Sequence, residues 1–149
     1  MNVKRTIDVS SNRFVFATFN SNGEEIPKKA NTIIVKGVTL EEVSNMLLGK
    51  GYIIERSDKD LQTVSTTRAV SRRNKALFVG INIRIKNGAA IITGSCSNNL
   101  EIRLGSIIVS PDDYPIANIG MKCSLFRAAF DELNDFALSF NKPVEYLVE

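Results

Sequence analysis

The clearest pattern along the chain lies in residues 77–96, LFVGINIRIKNGAAIITGSC. Leu77, Val79, Ile81, Ile83 and Ile85 alternate with Phe78, Gly80, Asn82, Arg84 and Lys86. A period of two predicts a strand with one buried face. Asn87-Gly88 is the preferred two-residue hairpin turn. Counting outward from it pairs Ile85 with Ala90, Ile83 with Ile92, Ile81 with Gly94 and Val79 with Cys96. One face is then apolar on both strands and includes Cys96. The other carries Asn82, Arg84, Lys86 and Thr93, and is expected to meet water or a partner.

Further strands are expected at 13–19 (RFVFATF), 32–37 (TIIVKG), from Tyr52, in LQTVSTTRAV at 61–70, and at 100–104 (LEIRL). The hairpin after Tyr52 is expected to turn at Ser57 to Asp60. Residues 20–31 and SPDDYPIANIG at 110–120 read as loops. A short helix starts at Thr39. Glu42 three residues later completes a capping box, and Val38 with Val43 forms a hydrophobic staple. Leu40, Val43 and Leu47 share its inner face, and Gly49 or Gly51 ends it. A long helix is expected near 122–141. Phe126, Ala129, Phe130, Leu133, Phe136, Ala137 and Phe140 fit its 3.6-residue period. Arg127, Asp131, Glu132, Asn134 and Asp135 are assigned to its solvent side.

These elements predict one α+β domain over residues 1–149, with 1–12 a flexible or extended arm. Its antiparallel sheet has about five to seven strands, with two helices packed on one face. Burying each phenylalanine of the long helix stabilises by roughly 1.5–3 kcal/mol.

Composition narrows the chemistry. The chain has no His and no Trp, and only two Cys. Without His there is no Ser-His-Asp or Cys-His arrangement and no His-ligated zinc. Cys96 and Cys123 make no metal site alone. They either pair, if the chain is exported, or sit as separate small hydrophobes. Gly49 and Gly51 follow a helix and precede a strand. A phosphate-cradling loop needs the reverse order. The acidic pairs Glu24-Glu25, Glu41-Glu42, Asp58/Asp60 and Asp112-Asp113 belong to turns, loops and a helix start. No cofactor and no metal are expected, and the chain is expected to be non-catalytic.

The net charge of +3 hides an asymmetry. Residues 59–88 carry seven Lys or Arg against one Asp, while residues 112–149 carry three basic and seven acidic residues. The two regions either attract each other within the fold or leave a basic surface for an anionic partner. The residues of such a surface are Arg68, Arg72, Arg73 and Lys75 in an exposed loop, with Arg84 and Lys86 nearby. Nucleic acid is the less favoured partner, because such surfaces interleave aromatics with the charges.

Residues 35–67, VKGVTLEEVSNMLLGKGYIIERSDKDLQTVSTT, carry a further pattern in Leu48, Gly51, Tyr52, Ile54, Asp58, Val64 and Thr66. It resembles the helix-grip modules of bacterial envelope proteins, such as the lipoprotein accessory subunit of the outer-membrane β-barrel assembly machine. It is also similar to TBP-like domains of exported proteins. Gln62-Thr63 stands where such modules often carry glycine. The resemblance implies a helix-grip or TBP-like fold and a non-enzymatic envelope module that binds a protein.

Three functions therefore stand open. The first is a binding or scaffold domain of the bacterial cell envelope with a protein partner. The second is a carrier of a small apolar ligand between sheet and helix, lined by Phe126, Phe130, Ile81, Ile83 and Ile92. The third is nucleic-acid binding through the basic surface of residues 68–86. No run approaches the ~20 apolar residues of a membrane span, and the polar MNVKRTIDVSS start lacks the apolar core of a signal peptide. The expected compartment is the periplasm or envelope if an export signal precedes Met1, and otherwise the cytoplasm. A homodimer through an edge strand at 13–19 is a further expectation.

Overall fold

The computed structural model describes residues 17–19, 25–98, 102–104, 107–109, 113–119 and 125–149. The expected arm at 1–12 and Cys123 lie outside them. Side chains are described for 26–97, 113–119 and 127–149.

The central element is the hairpin of β7 (Leu77–Lys86) and β8 (Ala89–Asn98). Asn87 and Gly88 both take positive φ, 53° and 74°, as its two-residue turn requires. Its register pairs Ile85 with Ala90, Ile83 with Ile92, Ile81 with Gly94 and Val79 with Cys96, as the alternation predicts. Six strands form the continuous sheet in the order β12 (Val144–Leu147), β3 (Thr32–Lys36), β8, β7, β5 (Thr63–Thr66), β4 (Ile54–Asp58). Each neighbouring pair is antiparallel. β6 (Ala69–Val70) pairs with β7 beyond the end of β5, and β11 (Tyr114–Pro115) pairs with β8 beyond the end of β3, making eight strands.

One transverse row crosses four strands as Ile33, Ile92, Ile83 and Val64. All four are buried in a core cluster that also takes the apolar faces of both helices. Helix α1 (Leu40–Gly49) lies against β4 and β5 through Leu40, Val43 and Leu47. Thr39 caps it, its Oγ1 accepting from the Glu42 amide at 3.2 Å. At the other end the Tyr52 N–H donates to Leu47 O and the Gly51 N–H to Leu48 O, with Gly51 at φ +87°. This is a Schellman stop, so the glycines end a helix. Helix α2 (Leu125–Leu138) lies across β3, β7 and β8 and buries Ala129, Phe130, Leu133, Phe136 and Ala137.

Several elements depart from the sequence expectation. The supposed loop at 20–31 contains β2 (Glu25–Pro27), which pairs with β1 (Ala17–Phe19). The strand expected at 13–19 is thus, in its described part, one arm of a small hairpin. The edges of the main sheet are β4 and β12 instead. Among the described residues, β9 (Ile102–Leu104) pairs only with β10 (Ile107–Val109), in a second small hairpin. The β4–β5 hairpin turns at Lys59 to Gln62, two residues later than expected. Asp58 organises that turn, its Oδ1 accepting from the Asp60 and Leu61 amides. Gln62 takes φ +54°, so it occupies the glycine-like position of the turn. Residues 61–70 do not make one strand. β5 gives way to β6, and the Thr66 hydroxyl accepts the Ile81 N–H at the break. β12 was not expected at all, although Lys142-Pro143 and the alternation after it are ordinary strand signals. The supposed loop at 110–120 contributes β11 and the buried Ile116.

The solvent side of α2 is also misassigned. Glu132 and Asn134 are buried, at 4% and 6% exposure. They flank the apolar stripe, and the fold reaches around the helix far enough to cover them. The Tyr146 hydroxyl donates to Asn134 Oδ1. Of the residues expected to line an apolar cavity, Phe130, Ile81, Ile83 and Ile92 pack in the core, and the Phe126 side chain lies outside the described residues. Cys96 is a buried, unpaired thiol, and burial pushes its pKa up.

Candidate functional site

The sheet face opposite the helices is polar. One row runs Arg56, Ser65, Asn82, Thr93 across β4, β5, β7 and β8. The next runs Asp58, Thr63, Arg84, Ile91, Ile34, Glu145 out to β12. Together they frame a shallow concavity of about 390 Å³, lined by Arg56, Thr63, Ser65, Asn82, Arg84 and Thr93, among others, with Glu149 at its rim. Asn31 holds the Glu149 backbone, accepting from its N–H and donating to its carbonyl. Arg56, Asn82 and Arg84 are exposed. Neither arginine has an ion-pair partner among the described residues, whereas Glu145 is paired with Lys36 at 2.6 Å.

Arg56 owes its place to an irregularity. The ladder shifts between Ile54, opposite Thr66, and Arg56, opposite Ser65. A regular ladder from the Ile54–Thr66 pair would place Glu55 opposite Ser65 and turn Arg56 to the helix-covered face. The bulge therefore sets the sign of the charge on the open face.

The six basic residues singled out in the sequence do not form one surface. Arg68 pairs with Asp113 and approaches Ser97. Arg73 pairs with Asp135 at 2.6 Å. The Arg72 guanidinium lies 4.5 Å from the centre of the Tyr52 ring. Lys75 sits in the same loop, ahead of β7. Arg84 and Lys86 occupy the far end of β7, roughly 23–30 Å from its start at Leu77 at 3.3 Å per residue, and both are exposed. The basic middle and acidic end of the chain thus meet within the fold at two ion pairs.

A third meeting point is buried. Glu132 Oε1 accepts from the Ser71 hydroxyl at 2.7 Å and from the Arg72 N–H at 2.6 Å. Its Oε2 accepts from the Tyr52 hydroxyl at 3.0 Å. Burial, then the negative charge of Glu132, holds the Tyr52 phenol far above its ordinary pKa. The phenol is thus kept protonated as a donor, the opposite of what a general base needs. This cluster fastens the basic loop and the end of α1 to α2. Tyr52→Phe should cost about 1 kcal/mol at neutral pH. A raised folded-state pKa contributes stability that is whole below the unfolded value and is lost as pH rises beyond it. The deficit of Tyr52→Phe should therefore shrink above about pH 10, measured as urea midpoints from pH 8 to 11.5. A deficit constant across that range would contradict it.

Sequence reasoning placed Arg84, Asn82 and Thr93 on the open face but missed Arg56, Thr63 and Ser65 as their neighbours. Their signal lay in the strand order, which no local pattern encodes. Glu132 was missed because it borders the apolar stripe, three residues from Ala129 and four from Phe136.

Fold and site together define an α+β protein with an open antiparallel sheet and one exposed polar face. Among the described residues, no helix is long and apolar enough to cross a membrane and no group of His, Cys, Asp and Glu is placed to hold a metal. No protein family, characterised protein or solved structure matches the chain.

Proposed function

We propose that this chain is a non-catalytic binding module that receives a protein partner on the open face of its sheet. The observation that carries this reading is the polar grid across β4, β5, β7 and β8, uncovered among the described residues while both helices pack on the opposite face. A bare sheet face of hydroxyls, an amide and guanidinium groups can form many directional bonds with little rearrangement. The concavity is too shallow to enclose a small molecule on most sides, as small-ligand sites do. The resemblance of residues 35–67 to envelope modules supports placing the binding event in a bacterial cell envelope.

The test is site-specific photo-crosslinking in cells that express the protein. A photoreactive residue at Asn82 is expected to capture one discrete protein from the envelope fraction, and Thr93→Glu is expected to abolish that product. The same residue at Glu41, on the exposed side of α1, is expected to give none. Equal products from both positions, or none from Asn82, would refute the reading.

A further inference from the structure

We propose that the open face binds an acidic, extended segment of a partner protein, with Arg56 and Arg84 as the two anchoring cations. This rests on the assignment of the open face as the binding surface and names what that surface selects. Arg56 and Arg84 line the same concavity, and neither has an ion-pair partner among the described residues. The other arginines with a described partner are committed inside the fold, Arg68 to Asp113, Arg73 to Asp135 and Arg127 to Asp131. A guanidinium fork matches a carboxylate in a two-point contact.

Geometry sets the spacing. The two arginines stand two strands and one same-face step apart, so their α-carbons are separated by about 12 Å. An extended segment spaces side chains four residues apart by about 13 Å. Acidic residues at i and i+4 would therefore meet one arginine each. Between the anchors lie Ser65, Thr63 and Asn82, which can bond the segment's polar groups. Of the acidic groups around the site, Asp58 gives one carboxylate oxygen to two backbone amides of its turn, Glu145 is paired with Lys36, and Glu149 stands at the rim against two guanidinium groups. The concavity has no aromatic lining, whereas single-stranded nucleic acid bound on a sheet stacks its bases on aromatic side chains.

The experiment is fluorescence anisotropy with the full chain and a labelled nine-residue peptide carrying Glu at positions 1, 5 and 9 among Ser and Thr. Binding is expected at low ionic strength and should weaken as salt is added. Arg56→Gln and Arg84→Gln should each weaken it at least tenfold, while Lys50→Gln, just past the C-terminal end of α1, leaves it unchanged. Both arginines are exposed and make no ion pair among the described residues, so the variants keep the wild-type unfolding midpoint, which is measured alongside. Three outcomes would overturn the proposal: no peptide binding at low salt, binding indifferent to both arginines, or tighter binding of a single-stranded oligonucleotide with the same arginine dependence. Binding of inorganic phosphate at millimolar level, with no peptide binding, would assign the site to a free oxyanion instead and also overturn it. Failure of the broader reading looks different, since Asn82 crosslinks would be missing while the peptide still bound through Arg56 and Arg84.

Discussion

Glu132→Ala is expected to lower the unfolding free energy by about 3–5 kcal/mol, because three donors lose one shared acceptor. The alanine leaves three donors without their acceptor: the Tyr52 hydroxyl, the Ser71 hydroxyl and the Arg72 N–H. Each orphaned buried donor costs about 1–3 kcal/mol. The carboxylate's own desolvation is relieved in the variant, so the sum falls below three full penalties. The loss is also structural. Without the carboxylate, residues 71–74 lose two bonds to α2 and keep the Arg73–Asp135 pair, the Ser71 and Asn74 backbone bonds to Leu77, and the Ser71 hydroxyl's contacts to the Arg73 and Asn74 amides. Glu132→Gln keeps one carbonyl acceptor and should cost less than half as much. Urea unfolding followed by circular dichroism measures both. A loss below about 1 kcal/mol for the alanine variant would show that the cluster is incidental.

The second large effect is expected at Gly94. Its position on β8, opposite Ile81, faces the helix side. A β-carbon there would stand 2.8 Å from Ile116 Cδ1 and 2.9 Å from the Gly80 carbonyl oxygen. Leu133 Cδ1 of α2 would be 3.4 Å away. Glycine is thus what lets Ile116 and α2 settle onto the sheet. Gly94→Ala should cost about 3 kcal/mol, the upper end of the overpacking range, because one clashing atom is backbone and cannot step aside. Gly94→Val should be worse. Adding Ile116→Val to Gly94→Ala removes the Cδ1 clash and should recover part of the loss, leaving the carbonyl clash in place. Thermal or urea midpoints of the three variants decide it, and an unchanged midpoint in Gly94→Ala would contradict the packing described.

Local pattern carried most of the fold. The β7–β8 register followed from Asn87-Gly88 and strict alternation, because a one-residue slip would move every apolar side chain to water. The start and stop of α1 followed from Thr39, Glu42 and Gly51, because capping is a local matter of unsatisfied amides and one positive φ. Prediction weakened where an element depends on distant partners. β12 and β11 are too short to stand without β3 and β8 beside them. Glu132 looked like any exposed helix acid, since its partners lie 60 to 80 residues away along the chain.

The candidate site divides in the same way. Asn82, Arg84 and Thr93 were assigned to an exposed face by alternation alone, and of the two alternatives that the opposite local charges left open, Arg68–Asp113 and Arg73–Asp135 realise internal pairing at two points. Arg56 was out of reach of any pattern. Its side of the sheet follows from a break in the β4–β5 ladder, and its neighbourhood from the lateral order of four strands. Alternation and capping are settled between near neighbours and are written into the residues themselves. The order of strands, the bulge in β4 and the enclosure of Glu132 arise only when remote segments compete for the same space, so they belong to the folded whole.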